Sequence, residues 1–346
     1  MKSLQGPQNR WADKSRRRVR RISMAVGVVL AATALAACSS TGGKPNTSSG
    51  GGNAGVANTP RATVAMITHE APGDSFWDLI RKGAQAAAAK DNIELKYSAD
   101  IQGPNQANLV QNAVDSKVAG IAVTLARPDA MKPSVAAAQA AGIPVVAFNS
   151  GFDQWNSMGA LEYFGQDETL AGQTAGKRLA AEGAKKVICV IQDQGQVALE
   201  SRCAGVKQGF TGGSVENLNV NGTDMPSVES TITAKLQTDP SIDHVVTLGA
   251  PIALTAVKSV ANSGSSAKVV TFDTNAALVG AIKDGTVQWA VDQQPYLQGY
   301  LAVDSLWLYL NNKNVIGGGL PTLTGPAFVD KSNIDSISAL AVSGTR

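Results

Sequence analysis

Polar and aromatic side chains follow four short apolar runs of this 346-residue sequence. They are, in chain order, Thr68 and His69 with the later Phe76 and Trp77, then Asn149 and Ser150, Asp273 and Thr274, and Gln293 and Gln294. A sugar offers apolar C–H faces and a rim of hydroxyls. Aromatic rings suit such faces, and amide, carboxylate or guanidinium groups suit such an edge. The set therefore predicts a site for a small hydroxylated molecule.

Each of these groups also has a purely structural explanation. Asp or Asn after a strand is commonly a turn-former or a helix cap. Phe76 and Trp77 could pack in the core, and Gln293-Gln294-Pro295 could simply end a strand. Adjacent helical residues point about 100° apart, however, so the two aromatic rings cannot share one face. The occurrence of all four groups at equivalent strand ends favours binding.

The elements that must position these residues alternate along the chain. Strands are predicted over 63–67, 93–97, 120–125, 143–148, 186–191, 215–220, 244–248, 268–272 and 288–291. Helices are predicted over 76–90, 106–116, 133–141, 168–182, 199–210, 227–237, 252–263 and 275–284. This alternation predicts parallel sheets with right-handed crossovers, in two similar Rossmann-like α/β lobes. Ligands of such folds bind beyond the carboxyl ends of the strands.

The N-terminus has the features of an export signal. Residues 16–21 are rich in arginine and precede an apolar stretch over 22–35, shorter than the roughly 20 residues of a transmembrane helix. The run LAAC that follows resembles the bacterial lipobox, and its cysteine is Cys38. We expect a lipoprotein signal peptide over 1–37 and a lipid on Cys38. An ordinary signal peptide is the alternative, and both readings place the protein outside the cytoplasm, by Sec or twin-arginine export.

A segment of small and polar residues comes next. Residues 39–60 contain almost no large apolar side chains, so they cannot bury enough surface to offset the entropy of ordering. We expect residues 38–60 to be a flexible tether between the lipid and a folded body that starts at Arg61.

The charge of the chain changes sign once the signal is removed. The whole sequence has 30 basic and 27 acidic residues; residues 1–37 hold eight basic residues and one acid, which leaves 22 and 26, a net charge of −4. A mildly acidic body does not suit nucleic acid, which calls for a basic face. We therefore expect no nucleic-acid partner.

Catalytic and metal-binding motifs are absent from the sequence. It has no GxSxG or HExxH pattern, so we predict that the protein is not an enzyme and has no catalytic residue or cofactor. With His69 and His244 as its two histidines and no CxxC pair, it is also predicted to lack a metal site.

Two cysteines remain after Cys38. Cys189 and Cys203 are separated by 13 intervening residues and, outside the cytoplasm, could close a local loop by a disulfide. Two buried thiols are the alternative, and the bridge is slightly favoured.

The sequence resembles a known family over nearly its whole predicted body, residues 61–330. It is similar to the type I periplasmic binding proteins of the ribose-binding family, whose other branch is the ligand core of sugar-responsive repressors. The resemblance is carried by DSFWDLIRKGAQAA (74–87), AGIPVVAFNS (141–150), SRCAGVKQGF (201–210), VVTFDTN (269–275) and VDQQPYLQG (291–299).

The resemblance implies roles for individual residues. Phe76 and Trp77 match the aromatic pair that lies against the sugar ring. The other implied ligand-binding positions are Thr68, His69, Thr124, Asn149, Ser150, Arg202, Met225, Asp273 and Gln293. Asn149 and Ser150 stand where ribose binders have Asp and Arg, and Gly249 where they have Asn. The pocket is therefore less charged than theirs, which leaves other sugars, inositol-like cyclitols and linear polyols open.

The resemblance also implies an architecture and a role. The type I fold has two lobes joined by a three-strand hinge, here 61–166 plus 294–322 and 167–293 plus 323–346. A monomer that closes on a sugar or polyol would present it to an ABC permease and its ATPase, while a lipid on Cys38 holds it at the membrane. Presentation to a chemoreceptor or a sensor kinase is the alternative. A repressor would need a helix-turn-helix where the signal lies.

Overall fold

The computed structural model describes residues 55–346, and strands and helices alternate through that range. The predicted signal peptide, the lipid site Cys38 and most of the tether lie outside the described residues. The strands are β1 (Ala62–Thr68), β2 (Ile93–Ala99), β3 (Gly120–Val123), β4 (Val145–Phe148), β5 (Tyr163–Gly165), β6 (Lys186–Ile191), β7 (Ser214–Asn219), β8 (His244–Thr247), β9 (Lys268–Phe272), β10 (Val287–Asp292), β11 (Thr322–Leu323) and β12 (Ala327–Asp330).

Ten α-helices in the described range connect and cover these strands. They are α1 (Phe76–Lys90), α2 (Gly103–Asp115), α3 (Pro128–Ala140), α4 (Glu168–Ala181), α5 (Val197–Gly209), α6 (Met225–Thr238), α7 (Ala250–Ser263), α8 (Ala276–Asp284), α9 (Pro295–Asn312) and α10 (Ile334–Ser343). Within residues 55–346, none of the helices combines the length and the apolar character that a membrane crossing requires.

The strands form two six-stranded sheets, one in each lobe. The first has the order β11-β5-β4-β3-β1-β2 and the second the order β12-β10-β9-β8-β6-β7. Every neighbouring pair is parallel except β10 with β12. The predicted fold class, two α/β lobes with mainly parallel sheets, is confirmed.

Helices bury both faces of each sheet, which explains why the strands read as continuous apolar runs. All four residues of β3, β4 and β8 are buried. One face of the first sheet packs on a cluster around Met131 and Tyr163, and the other on a cluster around Trp77 and Leu306. The second sheet likewise has one cluster on each side.

The chain passes between the two sheets three times, after β5, after β10 and after β11. Helix α9 returns to the first lobe and packs closely on α1. A Cβ atom on Gly299 would lie 2.0 Å from the carbonyl oxygen of Ile80, so only glycine allows this approach. The exact lobe boundaries given above stay a prediction.

Some elements differ from their predicted bounds. Helix α3 begins at Pro128 and not at Pro133, since Pro128 takes the first-turn position that proline favours. The sequence prediction also omitted β5 and every element after β10. The omitted strands β5, β11 and β12 have two to four residues each, which is too few to show a period of their own.

A disulfide joins Cys189 on β6 to Cys203 on α5, with the Cα atoms 5.8 Å apart. Both cysteines are fully buried. Of the two alternatives left open by the sequence, the structure has the bridge, which fastens α5 to the second sheet.

Candidate functional site

A cavity of about 290 Å³ opens between the lobes, at the carboxyl ends of the parallel strands. Its lining includes most of the residues predicted to bind ligand: His69, Phe76, Trp77, Asn149, Arg202, Met225, Asp273 and Gln293. These residues are far apart in the sequence and meet because the open ends of both sheets face each other.

One side of the cavity is formed by His69, Phe76 and Trp77 of the first lobe, which we call the aromatic wall. The rings of Phe76 and Trp77 lie 5.3 Å apart at 87°, and those of His69 and Trp77 lie 4.8 Å apart at 82°. Trp77 is 3% exposed and supports the more accessible Phe76. Edge-to-face packing fixes the rings, so the wall offers a rigid apolar surface.

His69 belongs to this wall as a neutral ring. Burial first, and then the positive charges of Arg127 and Arg202, lower its pKa from 6.5 to about 3. Gln196 accepts from the Leu199 amide with its oxygen, so its Nε2 donates to His69 Nε2 at 2.9 Å. The proton of the imidazole therefore lies on Nδ1, 2.8 Å from Thr124 Oγ1.

The opposite side is formed by Arg202, Asp273 and Gln293, which we call the polar wall. Gln293 Nε2 donates to Asp273 Oδ1 at 2.7 Å, and Arg202 Nη1 lies 3.6 Å from Asp273 Oδ2. Arg202 is carried by α5, Asp273 follows β9 and Gln293 follows β10. The three side chains present a donor fork, a carboxylate and an amide to the cavity.

Asn149 joins the first lobe to the polar wall. Its Nδ2 donates to Gln293 Oε1 at 3.2 Å and lies 3.3 Å from Gln298 Oε1. The Tyr163 hydroxyl donates to its carbonyl oxygen at 2.9 Å. Asn149 and Asp273 both have left-handed backbone, with φ of 63° and 64°, and Asn and Asp are the side chains that adopt it most readily.

Burial also sets the protonation of the polar wall. It raises the pKa of Asp273 from 3.8 to about 7, even though Arg202 and the Gln293 hydrogen bond act in the opposite direction. Burial acts to lower the pKa of Arg202, but Glu168 and Asp273 offset this and raise it above the ordinary value. The guanidinium is therefore permanently charged, while the carboxyl changes state near neutral pH.

Two lining side chains have polar atoms without a partner among the described residues. They are Gln192 Oε1 and Thr274 Oγ1, and buried polar atoms of this kind are normally satisfied. A Cβ atom on Gly249 would lie 3.3 Å from Gln192 Nε2, so the Gln192 amide fills the space beside this glycine. The sequence prediction missed Gln192 because it did not examine the exit of β6.

Direct contacts join the lobes along one edge of the cavity, and we call this set the latch. Arg127 Nη2 lies 2.5 Å from Asp193 Oδ1, and the Val197 amide donates to the Ala126 carbonyl at 3.1 Å. The contact of Gln196 with His69 completes it. Nothing in the sequence pattern marked these residues, which lie 66 to 127 positions apart.

The expectation for Thr68, Thr124 and Ser150 requires correction. All three are fully buried, and none is among the described residues that line the cavity. Thr68 Oγ1 lies 2.6 Å from the Tyr97 hydroxyl, and Thr124 contacts His69. Thr68 and Thr124 therefore support the aromatic wall from behind. Met225 does line the cavity, half-buried at the start of α6.

The described residues contain no group of three or more His, Cys, Asp or Glu side chains arranged to hold a metal ion. The chemistry of the cavity comes from neutral amides, hydroxyls, aromatic rings and one guanidinium beside carboxyl groups. Such a set can hold a polyhydroxylated ring, but it contains no nucleophile paired with a base.

Comparison with known proteins identifies the family. The model of the periplasmic binding protein domain matches residues 64–314. The chain belongs to this family. The predicted resemblance to the type I periplasmic binding proteins is therefore confirmed, and so is the prediction that the protein is not an enzyme, since the family and the relatives below are named for binding and transport.

Individual members of the periplasmic binding protein family are similar to this chain to different degrees. The carbohydrate transporter from Acidothermus cellulolyticus, solved in complex with myo-inositol, is 60% identical with a TM-score of 0.82, covering 83% of this chain and 100% of that one. A solute-binding protein from Burkholderia graminis, solved with D-arabinose, is 25% identical with a TM-score of 0.72, covering 80% and 97%.

A third relative is also named as a sugar-binding protein. The xylose/arabinose-binding protein XylF of Sulfolobus acidocaldarius is 28% identical over 244 residues, which are 66% of this chain. The match spans 60% of the length of that relative.

Proposed function

We propose that this protein captures a cyclic polyol of the myo-inositol kind in the cavity between its lobes and delivers it to an ABC importer. The observation that carries the proposal is the pairing of a rigid aromatic wall with a polar wall across one enclosed cavity. A ring with hydroxyls on every carbon has two C–H faces and a continuous polar rim, which matches this division.

The polar groups around the cavity are of mixed type. Asp273 accepts hydrogen bonds, Arg202 donates them, and Gln293 and Gln192 can do both. A hydroxyl likewise donates one hydrogen bond and accepts two, so a polyol can satisfy these groups together. The similarity to the Acidothermus structure, which holds myo-inositol, supports a cyclitol over a pentose.

Closure of the lobes would couple binding to delivery. The aromatic wall belongs to the first lobe and the polar wall to the second, so a ring between them contacts both. A ligand that contacts both lobes only in the closed form shifts the equilibrium to that form. The importer would then recognise the closed protein, held at the outer face of the membrane by a lipid on Cys38.

Calorimetric titration of the purified protein tests the ligand class. We expect myo-inositol to bind with a Kd of about 1 μM or tighter, and D-xylose, D-arabinose and linear polyols to bind at least about tenfold more weakly. Phe76→Ala should weaken binding, whereas Phe152→Ala, outside the cavity, should not. Tighter binding of a linear polyol, or no binding of any compound, would refute the proposal.

Two cellular experiments test delivery and anchoring separately. Deleting the gene should abolish uptake of labelled myo-inositol, and uptake that persists while a response to inositol is lost would indicate signalling instead. Metabolic labelling with a fatty-acid probe should mark the wild-type protein and not the Cys38→Ala variant.

A further inference from the structure

Glu168 is a buried carboxylate directly behind the polar wall. It is the first residue of α4, three positions after β5 ends and the chain leaves the first sheet. It is 3% exposed and is not among the described residues that line the cavity. Arg202 lies between Glu168 and the cavity, so Glu168 can affect a ligand only through its charge and through Arg202.

Glu168 contacts two of the three nitrogen atoms of the Arg202 guanidinium. Arg202 Nε lies 2.5 Å from Glu168 Oε2, and Nη2 lies 3.0 Å from Oε1. Gln166 Nε2 donates to the same Oε2 at 2.8 Å, which holds the carboxylate in place. Only Nη1 is directed elsewhere, 3.4 Å from the Leu248 carbonyl and 3.6 Å from Asp273.

Close packing of α4 on α5 enforces this geometry. A Cβ atom on Gly172 would lie 2.2 Å from the carbonyl oxygen of Arg202 itself, and one on Gly205 would lie 2.3 Å from that of Thr169. Since neither position tolerates a side chain, the helices meet beside Glu168 and Arg202, and the ion pair cannot separate without moving a helix.

A guanidinium in a cleft ordinarily recognises an anion, because its fork matches a carboxylate or a phosphate. Here Glu168 already occupies the Nε–Nη2 edge of the guanidinium, and Nη1 is directed at the Leu248 carbonyl and Asp273. Among the described lining residues Arg202 is the cation, whereas Asp74, Asp193 and Asp273 are acids. The cluster of Glu168, Arg202 and Asp273 thus has two carboxyl groups for one guanidinium.

We propose that Glu168 determines the charge selectivity of the site. Glu168 bonds to the guanidinium of Arg202 and balances its positive charge. The polar wall therefore accepts neutral or positively charged polyols and rejects anionic ones, such as a phosphate or carboxylate of the same ring. The inference rests on the proposed function for the ring itself, and it adds a residue that sets specificity without touching the ligand.

Binding of two nearly isosteric probes tests the selectivity. The probes are myo-inositol and an amino-deoxy-inositol, in which an ammonium group replaces one hydroxyl. We expect Glu168→Gln to raise the ratio of the amino-inositol Kd to the myo-inositol Kd about tenfold or more, because one negative charge near the ligand is lost. The control Glu162→Gln, a buried carboxylate bonded to the Ile316 amide, should leave the ratio unchanged.

A second variant separates charge from packing. Glu168→Asp keeps the charge but shortens the side chain, so the ratio should stay near the wild-type value even if both probes bind more weakly. An unchanged ratio in Glu168→Gln, or an equal change in both variants, overturns the proposal.

A measurement without ligand distinguishes this proposal from the proposed function. Glu168 is one of the charges that raise the pKa of Asp273, so an NMR titration of the Asp273 carboxyl carbon should give a lower pKa in Glu168→Gln and not in Glu162→Gln. If the wild-type protein binds neither probe, the proposed function fails and this titration decides alone: a lower pKa supports the charge assignment, and an unchanged one overturns it.

Discussion

The two walls of the cavity are built in different ways. The aromatic wall is held by packing: Trp77 lies in the core of the first lobe, and His69 rests on Thr124. The polar wall is held by charge and covalent structure, since Arg202 pairs with Glu168 and the next residue, Cys203, is bonded to β6. Packing tolerates small shifts, whereas paired charges and a disulfide do not. The first lobe therefore supplies contact area and the second lobe supplies orientation.

Removal of the carboxyl group from the polar wall should have the largest effect on ligand binding. Asp273→Ala leaves Arg202 Nη1 and Gln293 Nε2 without their acceptor, and it removes the acceptor for ligand hydroxyls. We expect the affinity for myo-inositol to fall about 100-fold or more, as for a lost charged hydrogen bond worth about 3 kcal/mol. Calorimetry measures the loss, with Asp243→Ala as a distant control. A loss below about fivefold would contradict the assignment.

Removing the disulfide tests whether the polar wall depends on its fastening. Cys189 and Cys203 close a short loop, with a sequence separation of 14, for which the loss of stability is about 3 kcal/mol. Cys189→Ala with Cys203→Ala should lower the melting temperature and also weaken ligand binding, because α5 carries Arg202.

A matched comparison comes from the other wall. Thr124→Val removes the hydroxyl that contacts His69 and leaves the disulfide intact. It should weaken ligand binding through the aromatic wall. If the cysteine variant loses stability but binds normally, the disulfide stabilises the lobe without orienting the guanidinium.

Truncation of the aromatic wall should have a smaller effect on affinity. Phe76→Ala removes a half-exposed ring that faces the cavity, and we expect binding to weaken about tenfold to 100-fold, which corresponds to about 1.4 to 2.8 kcal/mol. The melting temperature without ligand should change little. Phe76→Leu should recover part of the affinity, and equal losses for Leu and Ala would show that ring stacking matters more than apolar area.

The pH dependence of binding should include the titration of Asp273 in the polar wall. In the free protein the pKa of Asp273 is about 7, and ligand hydroxyls that donate to the carboxylate would lower it. Binding therefore releases a proton, and affinity should fall as the pH drops below 7, by up to about tenfold for each pH unit. Titrations between pH 5 and 8 measure this, and Asp273→Asn should flatten the profile.

The contribution of Asp273 to the stability of the free protein should change with pH in the direction opposite to its effect on ligand affinity. Because folding raises the pKa of Asp273, its protonated form is favoured in the folded state. The contribution of this group to the free energy of unfolding is full below pH 4 and is lost as the pH rises through 7. His69 acts in the opposite direction: burial lowers its pKa from 6.5 to about 3, so only the unfolded chain protonates this ring between pH 5 and 8, and its contribution to stability rises with pH. The comparison that isolates Asp273 is therefore wild type against Asp273→Asn, and an identical pH dependence of their melting temperatures would contradict the burial of Asp273.

The latch should contribute least. Arg127 and Asp193 form an ion pair that is about one-fifth exposed, and such pairs are worth about 0.2 to 1 kcal/mol. A double-mutant cycle with Arg127→Ala and Asp193→Ala should give a coupling of that size, or about two- to fivefold in Kd. Since the pair joins the two lobes, the coupling should appear in ligand binding and not in the melting of the free protein.

Sequence patterns were sufficient for the fold and for much of the cavity lining. Apolar runs marked the buried strands, and the strand exits marked Asp273 and Gln293, because parallel strands end at one edge. They were insufficient for residues whose role arises from distant partners. Glu168 looks like an ordinary first-turn acid of α4, and only the packing of α5 against it reveals its contact with Arg202.

The final part of the chain shows the same limit in the fold. Pro295, which in the sequence could also have ended a strand, is the first residue of α9, where proline is favoured. The four-residue strand β12 pairs with β10, yet its own sequence gives no period. Short elements of this kind are specified by their neighbours.

The left-handed backbone at Asn149 and Asp273 has a consequence for directed evolution. Side chains other than Asn, Asp and Gly are disfavoured at such φ values, so a library randomised at these two positions would return few folded variants for any selected ligand. Gln192, Gly249 and Thr274 have no positive φ and line the same cavity. New ligand preferences should therefore be accessible by mutation at these three positions while Asn149 and Asp273 stay fixed.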